Sequence, residues 1–376
     1  MGKVKVGSPW PLGSSITPNG VNFSIAAPHA TKVELLIFNS EYDDDAKEEI
    51  SLENKNRSGD YWHVEIEGLT EGAIYGYKVS INEQTASQEN IVLDPCARAI
   101  SGWRNYIRSR KGKVTTGNGR YLKGVVTKRE YFDFKAHPRP KYPWNKTIIY
   151  ELHVGGFTKN INSNVSERKK GTFIGLIEKI PYLKSIGITS IELLPVFAFD
   201  ASDAPEGLVN YWGYSPINWF TPHQGFVDSD NPLDARKQFK TFVEICHDNG
   251  IEVLIDVVYN HTTEGNENGP AISWKCFGPK TYYHQDEDGN YQDVSGCGNS
   301  IAANRPLVRK LILESLRCWA IELGVDGFRF DLGIALSRGE NLIPLDTPPL
   351  FEEIEADPEL SDVKLISEPW DCGGLY

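Results

Sequence analysis

Nowhere does the chain contain a run of about 18 uncharged apolar residues, the length a membrane-spanning helix requires. Residues 1–15 also lack the apolar stretch of a signal-peptide core. The expectation is a soluble, non-exported, cytoplasmic protein with no membrane partner. Positive charge is in deficit, with 39 Lys and Arg against 51 Asp and Glu and a formal net charge of −12. That balance opposes non-specific binding of nucleic acid or anionic lipid and leaves a neutral substrate unaffected. The six cysteines (Cys96, Cys246, Cys276, Cys297, Cys318 and Cys372) form no C-x-x-C pair. A chain this long needs no disulfide staples, so reduced, buried thiols are expected. No short repeat or low-complexity tract is present.

Aromatic residues are plentiful: 11% of the chain, including nine Trp and seventeen Tyr, most of them assigned to packing and a few to sugar platforms. With 376 residues, 40% of them hydrophobic, there is material for an accessory module and a larger domain. The segments 21–26, 32–38, 61–66 and 74–79 are short, β-rich and separated by Pro, Gly, Asn and Asp, which predicts a β-sandwich. Trp62 and Tyr75 lie on these strands; cross-strand packing is favoured over sugar binding for both. Pro138, Pro140 and Pro143 fall in a charged, apolar-poor stretch that suits an exposed linker. The expected division is therefore a sandwich over 1–135, a linker over 136–146 and a second domain over 147–376.

Past that boundary, apolar runs at 148–154, 188–196, 251–259, 325–332 and 363–368 alternate with helical patterns, the signature of parallel β/α units. Val308, Leu311, Ile312, Ser315, Leu316, Trp319 and Leu323 share one helical face between Pro306 and Gly324. Phe239, Phe242, Val243 and Cys246 repeat that arrangement between Pro232 and Gly250. The loops 198–216 and 262–304 are long, as functional loops after strands tend to be.

In the strand 324–331, period-two alternation sends Phe328 and Phe330 one way and Arg329 and Asp331 the other. A charged pair pointing into a sheet interior costs several kcal/mol unless it is partnered or wet, so packing alone does not account for it. Arg329 is expected to hold the Asp331 carboxylate ionised, as a nucleophile requires. Glu368 closes the strand 363–367 and is followed by Pro369, which cannot continue the ladder. Its carboxyl should therefore sit at the C-terminal strand end, where parallel barrels assemble active sites. Two carboxyls at one mouth suggest glycosidic chemistry. The strand 251–259 runs into Asn260 and His261, and Asp256 within it is read as a structural acid supporting the site.

Three texts, DVVYNH (256–261), GFRFD (327–331) and SEPW (367–370), resemble ordered regions of the amylase superfamily of glycoside hydrolases. ELLPV (192–196), residues 210–216, HTTEGN (261–266) and SGCGN (295–299) resemble its glycogen-debranching and isoamylase branch. The stretch from Pro11 to Pro28 resembles the start of the carbohydrate-binding-type module that precedes the barrel there. The resemblance implies a β-sandwich followed by a (β/α)8 TIM barrel. It also implies retaining hydrolysis of α-1,6 branch linkages in glycogen or a branched α-glucan. No required cofactor and no catalytic metal are expected; the acidic loops leave room for a structural calcium, though no EF-hand-type ligand run is present. Asp331 would be the nucleophile and Glu368 the acid/base, about 5–5.5 Å apart. Tyr214, His261 and Arg329 would bind the reacting sugar, with Asp256 and Asn260 in support.

Five β/α units are counted where the family barrel has eight, and the family's later His-Asp segment, which carries a third catalytic carboxylate, is not found. A truncated chain that is inactive or nearly so, with an exposed sheet edge, is expected. The rivals are a branching enzyme or pullulanase, a non-catalytic glucan-binding protein, and a hydrolytic metal site. The last is disfavoured because the first strand offers only His153 as a further imidazole. Oligomeric state is left open.

Overall fold

The computed structural model describes residues 2–81, 91–108 and 119–376. Ten strands come first: β1 (Val4–Lys5), β2 (Gly13–Ile16), β3 (Gly20–Ala26), β4 (Lys32–Phe38), β5 (Glu48–Ser51), β6 (Arg57–Ser58), β7 (Tyr61–Glu67), β8 (Ile74–Ser80), β9 (Ile100–Ser101) and β10 (Lys123–Val125). They make two antiparallel sheets, one ordered β1-β7-β3-β2 with β6 on β7, the other β5-β4-β8-β10-β9. The four strands expected from the sequence are β3, β4, β7 and β8. The remaining six are too short for a period to show.

Trp62 and Tyr75 are both buried, and Tyr75 donates its hydroxyl to Asp94 Oδ2 at 2.8 Å. Neither presents a face to a sugar, in keeping with the packing role.

Seven strands follow: β11 (Ile149–Leu152), β12 (Ser190–Leu193), β13 (Phe197–Phe199), β14 (Pro216–Pro222), β15 (Glu252–Val257), β16 (Gly327–Phe330) and β17 (Lys364–Ser367). Strands β11, β12, β15, β16 and β17 form a parallel sheet in that order, and β13 pairs with β14 in a separate antiparallel ribbon. The inner three strands are largely buried, whereas β11 and β17 are partly open, with Leu365 at 42% exposure. Chain order equals strand order, so each parallel neighbour is reached by a crossover.

The helix Asp234–Asp248 buries Phe239, Phe242, Val243 and Cys246, the face its spacing predicts. The helix Pro306–Arg317 buries Val308, Leu311, Ile312 and Leu316, then runs into a π-helical turn, Cys318–Glu322. A π turn shifts the phase of the side chains that follow. Here it accompanies Glu322 facing Arg98 (Nη2 at 3.1 Å) and Arg236 (Nη2 at 2.6 Å).

That ion cluster joins the β-rich module to the parallel sheet, and one hydrophobic cluster runs through both, from Leu12 and Val21 to Trp319 and Val325. Tyr282 also donates to Ala26 O at 2.9 Å and Thr221 to Ala97 O at 2.7 Å. Between the modules, residues 133–146 are mostly exposed or half-buried, but Arg139 is pinned by Asp326 Oδ1 at 3.0 Å and Ala320 O at 2.7 Å. This exposed stretch is also anchored, because the Arg139 guanidinium finds buried acceptors beneath it.

All six cysteines are free; four are buried, but Cys297 and Cys372 are exposed, against the expectation of uniformly buried thiols. Both lie in glycine-containing loops, which carry little apolar cover. Among the described residues no helix is long and apolar enough to cross a membrane.

Candidate active site

Register brings the site together. In the parallel ladder Asp256 of β15 lies opposite Arg329 of β16, and Arg329 Nη1 donates to Asp256 Oδ2 at 3.0 Å. Phe328 and Phe330 are buried on the opposite side of β16, as alternation requires. Two residues further along the Arg329 side, Asp331 emerges just past the end of β16. Glu368 follows β17 directly, its N–H bonded to Phe330 O at 3.0 Å. Adjacent strand ends thus carry the two carboxyls to one place.

Asp331 and Glu368 are near enough for each carboxyl to act on the other's proton affinity. Arg329 serves three acids: Asp256, Glu368 Oε1 at 3.2 Å and Asp331 Oδ1 at 3.4 Å. Its hold on Asp331 is the longest of the three. Burial pushes the Asp331 carboxyl up, while His261, Asn260 and Arg329 act the other way, Arg329 in the direction expected of it. For Glu368 burial also acts upward. It is outweighed by the Leu332 N–H at 2.8 Å, the Trp370 indole N–H at 2.9 Å and Arg329, which leave this carboxyl below its usual range. Asp256 is driven up to about 8, chiefly by burial, with Arg329 and the Tyr214 hydroxyl pulling the other way.

The remaining expected residues converge here. Asn260 Nδ2 donates to Asp331 Oδ2 at 2.7 Å and to Asp331 O at 2.8 Å, fixing the carboxyl and its backbone. The Asn260 amide oxygen faces His261 Nδ1 at 2.6 Å, and His261 Nε2 faces Tyr214 O at 3.1 Å. Both ring nitrogens meet acceptors, which favours an imidazolium, but burial dominates and lowers the His261 pKa. A single proton on Nδ1, toward the shorter bond, satisfies the closer acceptor. Tyr214 donates its hydroxyl to Asp256 Oδ2 at 2.7 Å, which sets the plane of its ring. Beside Tyr214 and His261 opens a cavity of about 570 Å³ that also touches Asp203, Asn210 and Cys297.

Some contributors are not assigned from sequence. Trp370 lies inside the SEPW text, yet its bond to Glu368 depends on a turn that Pro369 begins. Leu332, at φ 44 and ψ 51, adopts a left-handed conformation that is costly for a branched side chain. That conformation accompanies its N–H bond to Glu368. Arg108 arrives from the β-rich module and binds Asp200 Oδ2 at 2.6 Å, Asp203 Oδ1 at 2.9 Å and Thr263 O at 2.7 Å, bracing both long loops. No motif marks it. Among the described residues no group of three or more His, Cys, Asp or Glu is arranged to hold a metal ion.

Comparison with known proteins shows what the whole chain is similar to. Residues 11–97 match the family model Carbohydrate-binding module 48 (Isoamylase N-terminal domain), and residues 155–294 match Alpha amylase, catalytic domain. The chain thus carries a carbohydrate-binding module 48 match followed by an alpha-amylase catalytic-domain match, and it is similar to isoamylases and glycogen debranching enzymes. Isoamylase 3, chloroplastic, of Oryza sativa subsp. japonica is 38% identical over 100% of this chain and 50% of its own length. The glycogen debranching enzyme of Klebsiella pneumoniae (strain 342) is 36% identical over 99% of the chain and 57% of its own length. A solved pullulanase from Bacillus acidopullulyticus superposes with a TM-score of 0.76 at 26% identity, covering 97% of this chain and 43% of that one. The chain thus spans about half the length of the curated relatives it matches.

Proposed function

We propose that this chain carries the catalytic pair of an enzyme that hydrolyses α-1,6 branch linkages in glycogen or a related α-glucan, with retention. The observation that carries this reading is the placement of the Asp331 and Glu368 carboxyls at adjacent strand ends. In the proposed mechanism the sugar enters between them. Asp331 attacks the anomeric carbon as the Glu368 carboxyl protonates the leaving oxygen; Glu368 then takes a proton from water, which releases the sugar from Asp331. Glu368 must therefore regain a proton on substrate binding, and displacement of water around it acts in that direction. Tyr214 stacks on the reacting sugar, His261 and Arg329 bind near it, and Asp256 and Asn260 hold these groups in place.

The same reading takes the five parallel units as the first of an eight-unit (β/α)8 barrel. It divides the chain into a sandwich over 1–135, a linker over 136–146 and the barrel segment over 147–376. It places the protein in the cytoplasm, acting without a cofactor.

A fluorinated glycosyl fluoride that traps glycosyl-enzymes provides the test, since it reports attack even when turnover is slow. Peptide mass spectrometry of the treated 376-residue chain should find the adduct on Asp331, and Asp331→Asn should abolish it. An adduct on another residue, or none, would refute the assignment. Debranching is separated from pullulanase or branching activity by following α-1,6 anomeric protons on glycogen, pullulan and a linear α-glucan.

A further inference from the structure

A second cavity, of about 300 Å³, lies where the β-rich module meets the parallel-sheet module. The first module lines it with Glu41, Ser101, Trp103 and Arg104, the second with Gln224 and Asp230 among others. Its size is at the small end for ligand pockets and suits a short segment of hexose rings. We propose that this junction cavity is an accessory site for a segment of neutral α-glucan, separate from the site at Asp331. The inference rests on the glycosidase reading for the identity of the sugar.

Four features carry it. Trp103 is half-buried and held in orientation: its indole N–H donates to Ile100 O at 3.1 Å, and its ring meets His223 edge-on, with centroids 5.4 Å apart. His223 is itself stacked on Phe199 at 3.8 Å. A fixed, partly open indole beside Val227 and Pro232 offers the apolar surface that the C–H face of a sugar ring requires. Next, the Ser101 hydroxyl is buried and has no hydrogen-bond partner, although a buried hydroxyl ordinarily has one. Serine on β9 is therefore left with donor and acceptor capacity at the cavity wall.

Third, the charges suit a neutral polyol. Glu41 and Asp230 bring two carboxylates against the single guanidinium of Arg104, which is already paired with Asp230 across the two modules. Burial keeps His223 neutral, its pKa pushed down to about 3. An anionic ligand would face net negative charge, whereas sugar hydroxyls can donate to the carboxylates and accept from Arg104. Finally, one loop reaches both cavities: Ala201 lines the junction cavity, while Asp203, two residues on, lines the cavity beside Tyr214 and His261. Trp62 and Tyr75, the aromatics that the sequence offers first, are buried and take no part.

Electrophoresis of the 376-residue chain through gels containing glycogen measures the interaction. A Tyr214→Ala background removes the ring proposed to stack at the catalytic site. In that background Trp103→Ala should weaken glycogen binding by about tenfold, the size expected for loss of an aromatic anchor. Arg104→Ala, at an exposed side chain, should weaken it less, and Trp103→Phe should retain most of it. Thermal melting identifies any variant that fails to fold; Arg104→Ala and Trp103→Phe then carry the test. Retardation unchanged in Trp103→Ala and Arg104→Ala, or absent in the parent chain, overturns the proposal. The Asp331 adduct is scored independently: its presence without an effect of Trp103 sinks only the accessory site, and its absence with an effect of Trp103 sinks only the catalytic reading.

Discussion

At the module junction one carboxylate, Glu322, faces two guanidiniums, Arg98 and Arg236; at the end of the parallel sheet one guanidinium, Arg329, faces the three carboxyls of Asp256, Asp331 and Glu368. Burial acts upward on the acids in both places. At the junction the two cations overcome it and hold Glu322 down at about 2. At the strand ends one cation is divided among three acids, and Asp256 is driven up to about 8. A cluster that only joins two modules can satisfy its charge fully. A cluster proposed to move a proton has to treat its carboxyls differently, and here Asp331 is pushed up while Glu368 is pulled down.

The largest effect should come from breaking the satisfied cluster. Glu322→Ala leaves two buried guanidiniums facing each other without their acid. The unfolding free energy in urea should fall by about 3–5 kcal/mol, and an unchanged midpoint would show that the junction is not held by this pair. The pH signs should also oppose. Glu322 has a depressed pKa, so its contribution is present above the ordinary value of 4.5 and is lost as pH falls toward about 2. Asp256 has a raised pKa, so its contribution is present below the ordinary value of 3.8 and is lost as pH rises toward about 8.

Asp256→Asn, which keeps the shape and removes the titration, should accordingly flatten the decline in stability between those limits. It should leave the protein more stable at pH 8 by on the order of 1–3 kcal/mol; a stability profile with the same slope as the parent's would contradict the raised pKa. The smallest change is Trp370→Phe, which removes one N–H donor from Glu368. Carbon-detected NMR titration should show the Glu368 pKa rising by about one, as loss of a hydrogen bond to a charged group implies. No movement would mean that Leu332 and Arg329 hold this carboxyl without the indole.

Legibility followed periodicity. Alternation along 324–331 separates Arg329 and Asp331 from the two phenylalanines, and the helical spacing of Phe239, Phe242, Val243 and Cys246 marks the face that becomes buried. These are local properties of a strand and a helix, set by side-chain direction alone. Arg108 and Glu322 escaped notice because each acts on a partner far away in sequence, Asp200 and Thr263 for the first and Arg98 for the second. The anchoring of residues 133–146 by Arg139 was hidden for the same reason. Prolines make a stretch look like a linker, but only the packed molecule supplies the carbonyls beneath it.

By itself the sequence determined that Asp331 and Glu368 stand at the ends of apolar parallel strands, since alternation and the proline after Glu368 leave little choice. It also determined the order of the modules and their polarity. Only the tertiary structure decided how the charges are shared. Register set Asp256 opposite Arg329, burial outweighed Arg329 at Asp331, and the Leu332 N–H with the Trp370 indole helped hold Glu368 below its usual range. Proton affinity depends on desolvation and on every neighbouring charge, and both exist only after distant segments have packed.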